Sequence, residues 1–255
     1  MDIKKVHLYY FSGTGNTLLV CRSIKEIFEK NGVETRLYAI EKEPPTNVDL
    51  DVCIGLAFPV AVFTTYPLVF KFIKGLPQAN GTKVFMTDTM GGLSIGLRSI
   101  VKAMLVRKGY NPIAASQIVM PDNFWPSPEK EKQNPKIVKK GIASVSSYAD
   151  SILKGTASWN EVPILPWAAY GISQFLFSLG GFRKKTIKFN KEKCIKCGLC
   201  AKLCPVNNIV MHEHPVLNSK CEACVRCNSF CPTGALYRKK DGEHVYRAVR
   251  SEELL

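Results

Sequence analysis

Eight of the ten cysteines form two copies of one spacing, in which two residues separate the first cysteine from the second and the second from the third, three residues separate the third from the fourth, and a proline follows the fourth. Four thiolates are the ligand set of a 4Fe-4S cubane, and this spacing is typical of sites that hold two cubanes. The sequence therefore predicts two 4Fe-4S clusters. The first run comprises Cys194, Cys197, Cys200 and Cys204, and the second comprises Cys221, Cys224, Cys227 and Cys231.

The two runs are expected to exchange their last cysteines, because in paired sites of this spacing the fourth cysteine of each run binds the other cluster. Two structural zinc sites are the alternative, but zinc is complete with four ligands and gives no reason for the third cysteine of either run. We therefore expect a first cluster on Cys194, Cys197, Cys200 and Cys231, and a second cluster on Cys221, Cys224, Cys227 and Cys204.

A second pattern joins a predicted strand over residues 6–11 to a helix whose apolar positions, from Leu18 to Phe28, recur at helical spacing. Small and hydroxyl-bearing residues lie between them, where backbone N–H groups and the positive end of the helix dipole favour a phosphate. The loop has no lysine for a Walker A motif, and Leu18 stands where a dinucleotide-binding loop has its third glycine. The predicted phosphate loop comprises Ser12, Gly13, Thr14, Gly15, Asn16 and Thr17.

Four further apolar segments alternate with amphipathic helical patterns and predict an α/β fold with a doubly wound, parallel, five-stranded sheet. The continuous apolar run over 52–58 is typical of a central strand, whereas 33–38 and 113–119 resemble edge strands. The fourth strand is predicted over 83–87. These features favour the strand order 2-1-3-4-5, which places a ligand at the carboxyl ends of strands one, three and four.

The first loop resembles the flavodoxin loop that holds the phosphate of FMN. Taken end to end, the chain resembles the fusion family in which a flavodoxin-like domain precedes a bacterial-type two-cluster ferredoxin. Both cysteine runs and the segments 55–60, 120–124 and 204–209 carry this resemblance, although members of that family often have an aromatic residue where this chain has Ala61. The resemblance implies FMN and two 4Fe-4S clusters, held by a flavodoxin-like sheet and a small α+β ferredoxin domain.

The resemblance also implies that the loops after the third and fourth strands flank the flavin ring. Which aromatic residue stacks on the ring stays open, and no catalytic residue is assigned, with Asp88 as the one acid in these loops. The expected ring-binding residues are Phe58, Pro59, Val60 and Phe63 in the earlier loop, and Thr87, Asp88, Thr89, Met90, Gly91 and Gly92 in the later one.

We expect three regions along the chain: an FMN-binding domain over 1–155, an apolar connecting segment over 156–184, and the ferredoxin domain over 185–255. The connecting segment favours a helix packed between the domains or at a homodimer interface. A membrane-surface anchor with the basic flank 183–185, or a transmembrane span, is the alternative. The apolar face of this helix comprises Ala168, Ile172, Phe175, Leu176 and Leu179.

The formal net charge is +14, from 35 basic and 21 acidic residues. Two bound clusters and a flavin phosphate would lower the net charge to about +8. The basic charge is therefore not evidence for a nucleic acid as partner. The remaining excess could serve an acidic redox partner or an anionic surface, but lysines scattered over solvated helix faces are the interpretation we favour. We expect the protein in the cytoplasm, because the chain opens on a strand pattern instead of a secretory signal and thiols stay reduced there.

These features favour an electron-transfer iron-sulfur flavoprotein that passes electrons between the clusters and FMN, with a ferredoxin-like protein as donor or acceptor. A flavin-dependent reductase of a small organic substrate, with residues 120–129 as a lid, is one alternative. A redox-sensing binding protein is another.

Cofactor content provides the first test. Protein purified without oxygen should contain about eight iron, eight sulfide and one FMN per chain, because two cubanes use eight thiolates. Metal analysis, sulfide assay and flavin absorbance measure this directly. Stoichiometric zinc without sulfide would contradict the cluster assignment.

Overall fold

Residues 3–92, 94, 96–125, 127–160, 166–178, 187–238 and 244–255 are described by the computed structural model. Five parallel strands form the central sheet of the N-terminal part in the order β2-β1-β3-β4-β5, as predicted. This order is that of the flavodoxin-like doubly wound fold. The strands are β1 (Lys5–Tyr10), β2 (Glu34–Ala39), β3 (Cys53–Pro59), β4 (Lys83–Met90) and β5 (Asn111–Val119).

Two pairs of helices cover the two faces of this sheet. The apolar sides of α1 and α4 pack on one face, and those of α2 and α3 pack on the other, so that both faces are buried. Two buried faces explain why β3 is apolar along almost its whole length. The helices are α1 (Asn16–Lys30), α2 (Pro67–Gly75), α3 (Leu97–Val106) and α4 (Pro128–Lys154).

Strand β4 is three residues longer than predicted, because its pairing with β5 continues as far as Met90. Asp88 and Thr89 therefore belong to the strand instead of the following loop. Side chains alternate between the faces of a strand, so these two residues point in opposite directions. The flavin-side loop that the sequence predicted begins only after Met90.

The connecting segment contains a helix, α5 (Pro166–Ser178), that packs against the N-terminal part. The Thr64 hydroxyl donates to Ser173 at 2.7 Å, and the Tyr170 ring lies edge-on to Phe70 with ring centroids 4.8 Å apart. These contacts bury Ser173 and leave Ile172 and Phe175 exposed. These two apolar residues therefore do not pack against the rest of the chain, and their packing at a homodimer interface stays a prediction.

Within the ranges given above, no helix is long and apolar enough to cross a membrane. The basic flank 183–185 and Leu179 lie outside the described residues.

The C-terminal part is a small α+β unit, as predicted. Two short antiparallel pairs enclose a core that includes Ile187, Ile209 and Leu236 and reaches four of the cysteines. The pairs are β6 (Lys188–Phe189) with β9 (Leu236–Tyr237), and β7 (Ile209–Met211) with β8 (Pro215–Leu217); the helices are α6 (Leu199–Lys202) and α7 (Arg226–Ser229).

The end of the chain returns to the N-terminal part. Leu254 packs with Leu18 from α1 and with Leu203 and Phe230 from the C-terminal part. An ion pair between Arg22 and Glu253 lies beside this contact. The two parts are therefore joined by a small apolar core as well as by the connecting segment.

Candidate flavin and iron-sulfur sites

Four cysteines from both runs line one cavity in the C-terminal part. They are Cys194, Cys197 and Cys200 from the first run and Cys231 from the second. This is the set expected for the first cluster, including the exchanged fourth cysteine. Its ligation by iron stays a prediction.

The remaining four cysteines also lie near one another. Burial raises the pKa of Cys224 to about 12, and its neighbours Cys204 and Cys221 contribute to the increase. Burial likewise raises the pKa of Cys227, with Cys224, Cys221, Cys204 and Cys200 as further causes. The four cysteines expected for the second cluster therefore lie within electrostatic range of one another and of Cys200, and their ligation of one cluster stays a prediction.

Backbone N–H groups are directed at the sulfur atoms, as the thiolates of a cluster require. The N–H of Asn208 donates to Cys204 Sγ at 3.2 Å, and that of Ala223 donates to Cys221 Sγ at 3.4 Å. Among the described residues, no three histidine, cysteine or carboxylate side chains are grouped so as to hold a single metal ion. A cubane instead uses one cysteine for each of its iron atoms, around a wider space.

The predicted phosphate loop lies at the N-terminus of α1 and is buried. Gly15 has φ of 107° and ends the loop in the left-handed region, where glycine is favoured. Between described residues, no hydrogen bond uses the backbone N–H groups of residues 13–17 as donors. Such N–H groups at a helix N-terminus fit an anion, so the loop has the donors that a flavin phosphate needs.

The loop adjoins a cavity of about 480 Å³, within the range usual for cofactor sites. Its walls come from the loops after β1, β3, β4 and β5, from α5, and from the second cysteine run. The described residues lining it are Ser12, Gly13, Thr14, Asn16, Thr17, Pro59, Val60, Ala61, Val62, Phe63, Tyr66, Thr89, Met90, Gly91, Gly92, Pro121, Asp122, Asn123, Phe124, Trp125, Leu176, Glu222 and Ala223.

Four of the expected cofactor-binding residues do not line this cavity. Phe58 is buried in the core beneath α2 and α3, and Gly15 lies against Val249. Thr87 and Asp88 are fully buried because β4 continues past them. Contact of Phe58, Thr87 and Asp88 with the flavin ring, and of the Gly15 backbone with the phosphate, stays a prediction.

Two exposed aromatic residues stand at the cavity, Phe63 and Trp125. Val62 and Phe63 both have positive φ, 47° and 66°, in a tight turn closed by pairing between Ala61 and Thr64. Bulky residues in this region of backbone space are strained, and such strain is common at ligand sites. The turn brings the Phe63 ring to the cavity, where an aromatic ring can pack on the flavin.

The second cysteine run lies directly on the carboxyl edge of the sheet. Glu222 Oε2 accepts the N–H of Leu68 at 3.0 Å and so caps the first turn of α2. A methyl group on Gly13 would lie 2.9 Å from the carbonyl oxygen of Cys224, closer than a real methyl group approaches an oxygen. Glycine at this position therefore lets the two backbones meet.

Arg226, between two cysteines of this run, is buried against the phosphate loop. Its Nε donates to the Ser12 carbonyl at 2.9 Å, and its Nη2 donates to Glu41 Oε1 at 2.5 Å. Nη1 donates to the Leu203 carbonyl at 3.3 Å, and the guanidinium lies 5.0 Å from the centre of the Phe11 ring. Removing one member of such a buried ion pair costs about 3–5 kcal/mol, because the other charge is left without a partner.

The segment after residue 243 completes the enclosure of the loop. The N–H of Ala248 donates to the Thr14 carbonyl at 2.8 Å, and the Tyr246 hydroxyl donates to Asn16 Oδ1 at 2.7 Å. Arg238 holds the opposite wall by donating to the Asn123 carbonyl at 3.0 Å. Sequence reasoning missed these contacts, because they join residues more than a hundred positions apart and leave no local pattern.

Comparison with known proteins gives one family match. The 4Fe-4S binding domain family matches residues 187–210, which contain the whole first cysteine run. No curated protein matches the chain. The fold and this match together define a chain that joins a flavodoxin-like domain to a 4Fe-4S binding domain.

Solved structures with a similar arrangement include flavodoxins. Two-electron reduced flavodoxin from Megasphaera elsdenii has 24% identity and a TM-score of 0.38, covering 52% of this chain and 98% of its own. Flavodoxin 2 from Bacillus cereus has 17% identity and a TM-score of 0.45, covering 59% and 98%. Rubredoxin oxygen:oxidoreductase from Desulfovibrio gigas has 15% identity, a TM-score of 0.39 and 57% coverage of this chain, which spans only 37% of that protein.

Replacing Cys204 tests the exchange of cysteines between the runs. Cys204→Ala lies in the first run but should damage the second cluster and leave the first, so that iron falls by about half. Cys231→Ala is the matched control and should damage the first cluster instead. Iron analysis and EPR spectroscopy of the reduced variants distinguish the clusters, and loss of the first cluster in Cys204→Ala would contradict the assignment.

Asp88 gives a prediction on pH. Burial raises its pKa from 3.8 to about 7, although a hydrogen bond from Gln117 opposes the increase. The folded protein thus keeps a proton that the unfolded chain loses, and stability falls as pH rises through this interval. Asp88→Asn should therefore raise Tm most at about pH 8.5, roughly half as much at about pH 5.5 and least at about pH 4, since 1 kcal/mol moves Tm by roughly 2–4 °C at this size. A difference in Tm independent of pH would show that Asp88 does not titrate as described.

Proposed function

We propose that this protein is an electron-transfer iron-sulfur flavoprotein, in which two 4Fe-4S clusters exchange electrons with one FMN. The observation that carries the proposal is the position of the second cysteine run, which supplies Glu222 and Ala223 to the wall of the cavity beside the phosphate loop. A cluster held by that run would lie next to a flavin held by that loop. Electron transfer by the whole protein would depend on this proximity of the second cluster to the flavin.

The residues have distinct tasks in this proposal. The loop amides and hydroxyls bind the FMN phosphate, while Phe63 and the segment 121–125 enclose the ring. The flavin exchanges one or two electrons, and each cluster exchanges one, so together they can join two-electron and one-electron partners. The N–H groups directed at Cys204 and Cys221 help to set the potential of the second cluster.

The first cluster is the natural point of contact with an external protein. Among the described residues, none that lines its cavity also lines the flavin cavity. Its Cys197 is exposed, and Ile195 at the same cavity is 63% exposed. Electrons would therefore pass between the partner and the first cluster, then the second cluster, then FMN, in either direction.

The surface around the first cluster indicates an acidic partner. Five exposed lysines lie within residues 187–202, around the apolar Ile195, with two exposed carboxylates beside them: Glu192, and Glu213, which pairs with Lys196 at 3.2 Å. An apolar centre with a charged rim is the usual anatomy of a recognition surface, and its charge sets partner choice and association rate. The lysines are Lys188, Lys191, Lys193, Lys196 and Lys202.

A flavin-dependent reductase of a small organic substrate is the second candidate. The exposed Phe63 and Trp125 favour it, because they leave aromatic surface at the mouth of the cavity. Turnover of such a substrate without any protein acceptor would support this candidate over the first.

Stopped-flow reduction by a protein donor tests the proposed path. With a reduced acidic plant-type ferredoxin as donor, flavin bleaching should slow roughly tenfold or more in the triple variant Lys191→Glu, Lys193→Glu, Lys202→Glu, because attraction becomes repulsion. The rate of the unmodified protein should fall with added salt for the same reason. Reduction by dithionite, a small anion that needs no docking, should slow far less.

The triple variant Lys132→Glu, Lys136→Glu, Lys140→Glu provides the matched control. These exposed lysines lie on α4, and the variant has the same net charge as the test variant. Equal slowing in both variants would contradict docking at the first cluster. Flavin reduction at the normal rate in Cys197→Ala, with the first cluster lost, would contradict the whole path.

A further inference from the structure

Two residues from the C-terminal part orient the phosphate loop. In a trans peptide the C=O and the next N–H point in opposite directions. The hydrogen bond from Arg226 to the Ser12 carbonyl therefore turns the N–H of Gly13 away from Arg226, and Gly13 lines the flavin cavity. The bond from Ala248 to the Thr14 carbonyl fixes the N–H of Gly15 in the same way.

Arg226 is in turn fixed by the second cysteine run. It stands between Cys224 and Cys227, and the carbonyl that its Nη1 contacts belongs to Leu203, directly before Cys204. The guanidinium is therefore tied to backbone beside three of the four expected ligands of the second cluster. Small metal-binding units of this kind are ordered largely by their metal, so the position of Arg226 depends on the cluster.

We propose that Arg226 is the positioning residue through which the second cluster orders the phosphate loop, so that FMN binding and cluster loading are coupled. This inference rests on the proposed function and extends it. A flavin would bind most tightly to protein whose second cluster is complete. Because coupling between sites is reciprocal, bound FMN would retain the second cluster more firmly as well.

Parallel titrations with FMN and riboflavin test the coupling, since riboflavin lacks the phosphate. Arg226→Lys keeps a positive charge near Glu41 but lacks the planar fork that reaches both carbonyls. We expect FMN affinity to fall about ten- to a hundredfold, as for loss of a charge-assisted hydrogen bond, with riboflavin affinity nearly unchanged. Arg22→Gln removes an exposed ion pair between the same two parts and should change neither affinity.

Two further measurements keep the test decisive if Arg226→Lys folds poorly. The double variant Arg226→Gln, Glu41→Gln removes both buried charges, so neither is left without a partner. It should show the same selective loss of FMN affinity. In the unmodified protein, removal of iron by a chelator should lower FMN affinity similarly, and reconstitution with iron and sulfide should restore it. Iron content and circular dichroism accompany each titration.

The outcomes separate this inference from the proposed function. Variants with full iron and an unchanged ratio of FMN to riboflavin affinity would overturn the role of Arg226. Equal losses of affinity for FMN and riboflavin would overturn the coupling. An FMN affinity that does not change when iron is removed would also overturn it. Fully loaded protein that binds no FMN would overturn the proposed function and this inference together.

Discussion

The contact between the second cysteine run and the carboxyl edge of the parallel sheet is the constraint on which the rest of the structure depends. Glycine at position 13 permits it, because any side chain there would meet the Cys224 carbonyl. Glu222 caps α2 from one side of this contact, and Arg226 reaches the phosphate loop from the other. The flavin cavity is thus built by two parts of the chain, each of which would be incomplete alone.

The polar interactions at this contact fix how the two parts of the chain dock more than they increase the free energy of unfolding. A buried pair such as Arg226 with Glu41 contributes little net stability compared with apolar packing, yet breaking it is costly. A buried ion pair also needs partners for its remaining N–H groups. The carbonyls of Ser12 and Leu203 accept hydrogen bonds from the other guanidinium nitrogens of Arg226. One docking geometry is thereby selected, and the apolar contact of Leu18, Leu203, Phe230 and Leu254 supplies the area that stabilises it.

Periodicity and spacing predicted much of the architecture. The continuous apolar run of β3 and the edge-like patterns of β2 and β5 favoured the observed strand order, and the loop after β1 could be recognised from its small residues. The burial of Asp88 was not predictable, because the pairing of β4 with β5 extends the strand by three residues beyond its apolar part. Contacts of Tyr246 and Ala248 with the loop depend on the tertiary path of the chain, which local sequence does not encode. The exposure of Ile172 and Phe175 likewise follows from the partners of α5 instead of its own pattern.

The central claim is that the second cluster lies next to the flavin and the first lies farther away. Time-resolved flavin fluorescence of fully assembled protein, compared with Cys221→Ala and Cys197→Ala, measures this most directly, because a nearby redox centre shortens the excited state. The account predicts that loss of the second cluster in Cys221→Ala lengthens the lifetime of the protein-bound flavin, separated from free flavin by its anisotropy decay, far more than loss of the first in Cys197→Ala. An equal or opposite effect of the two variants would contradict it.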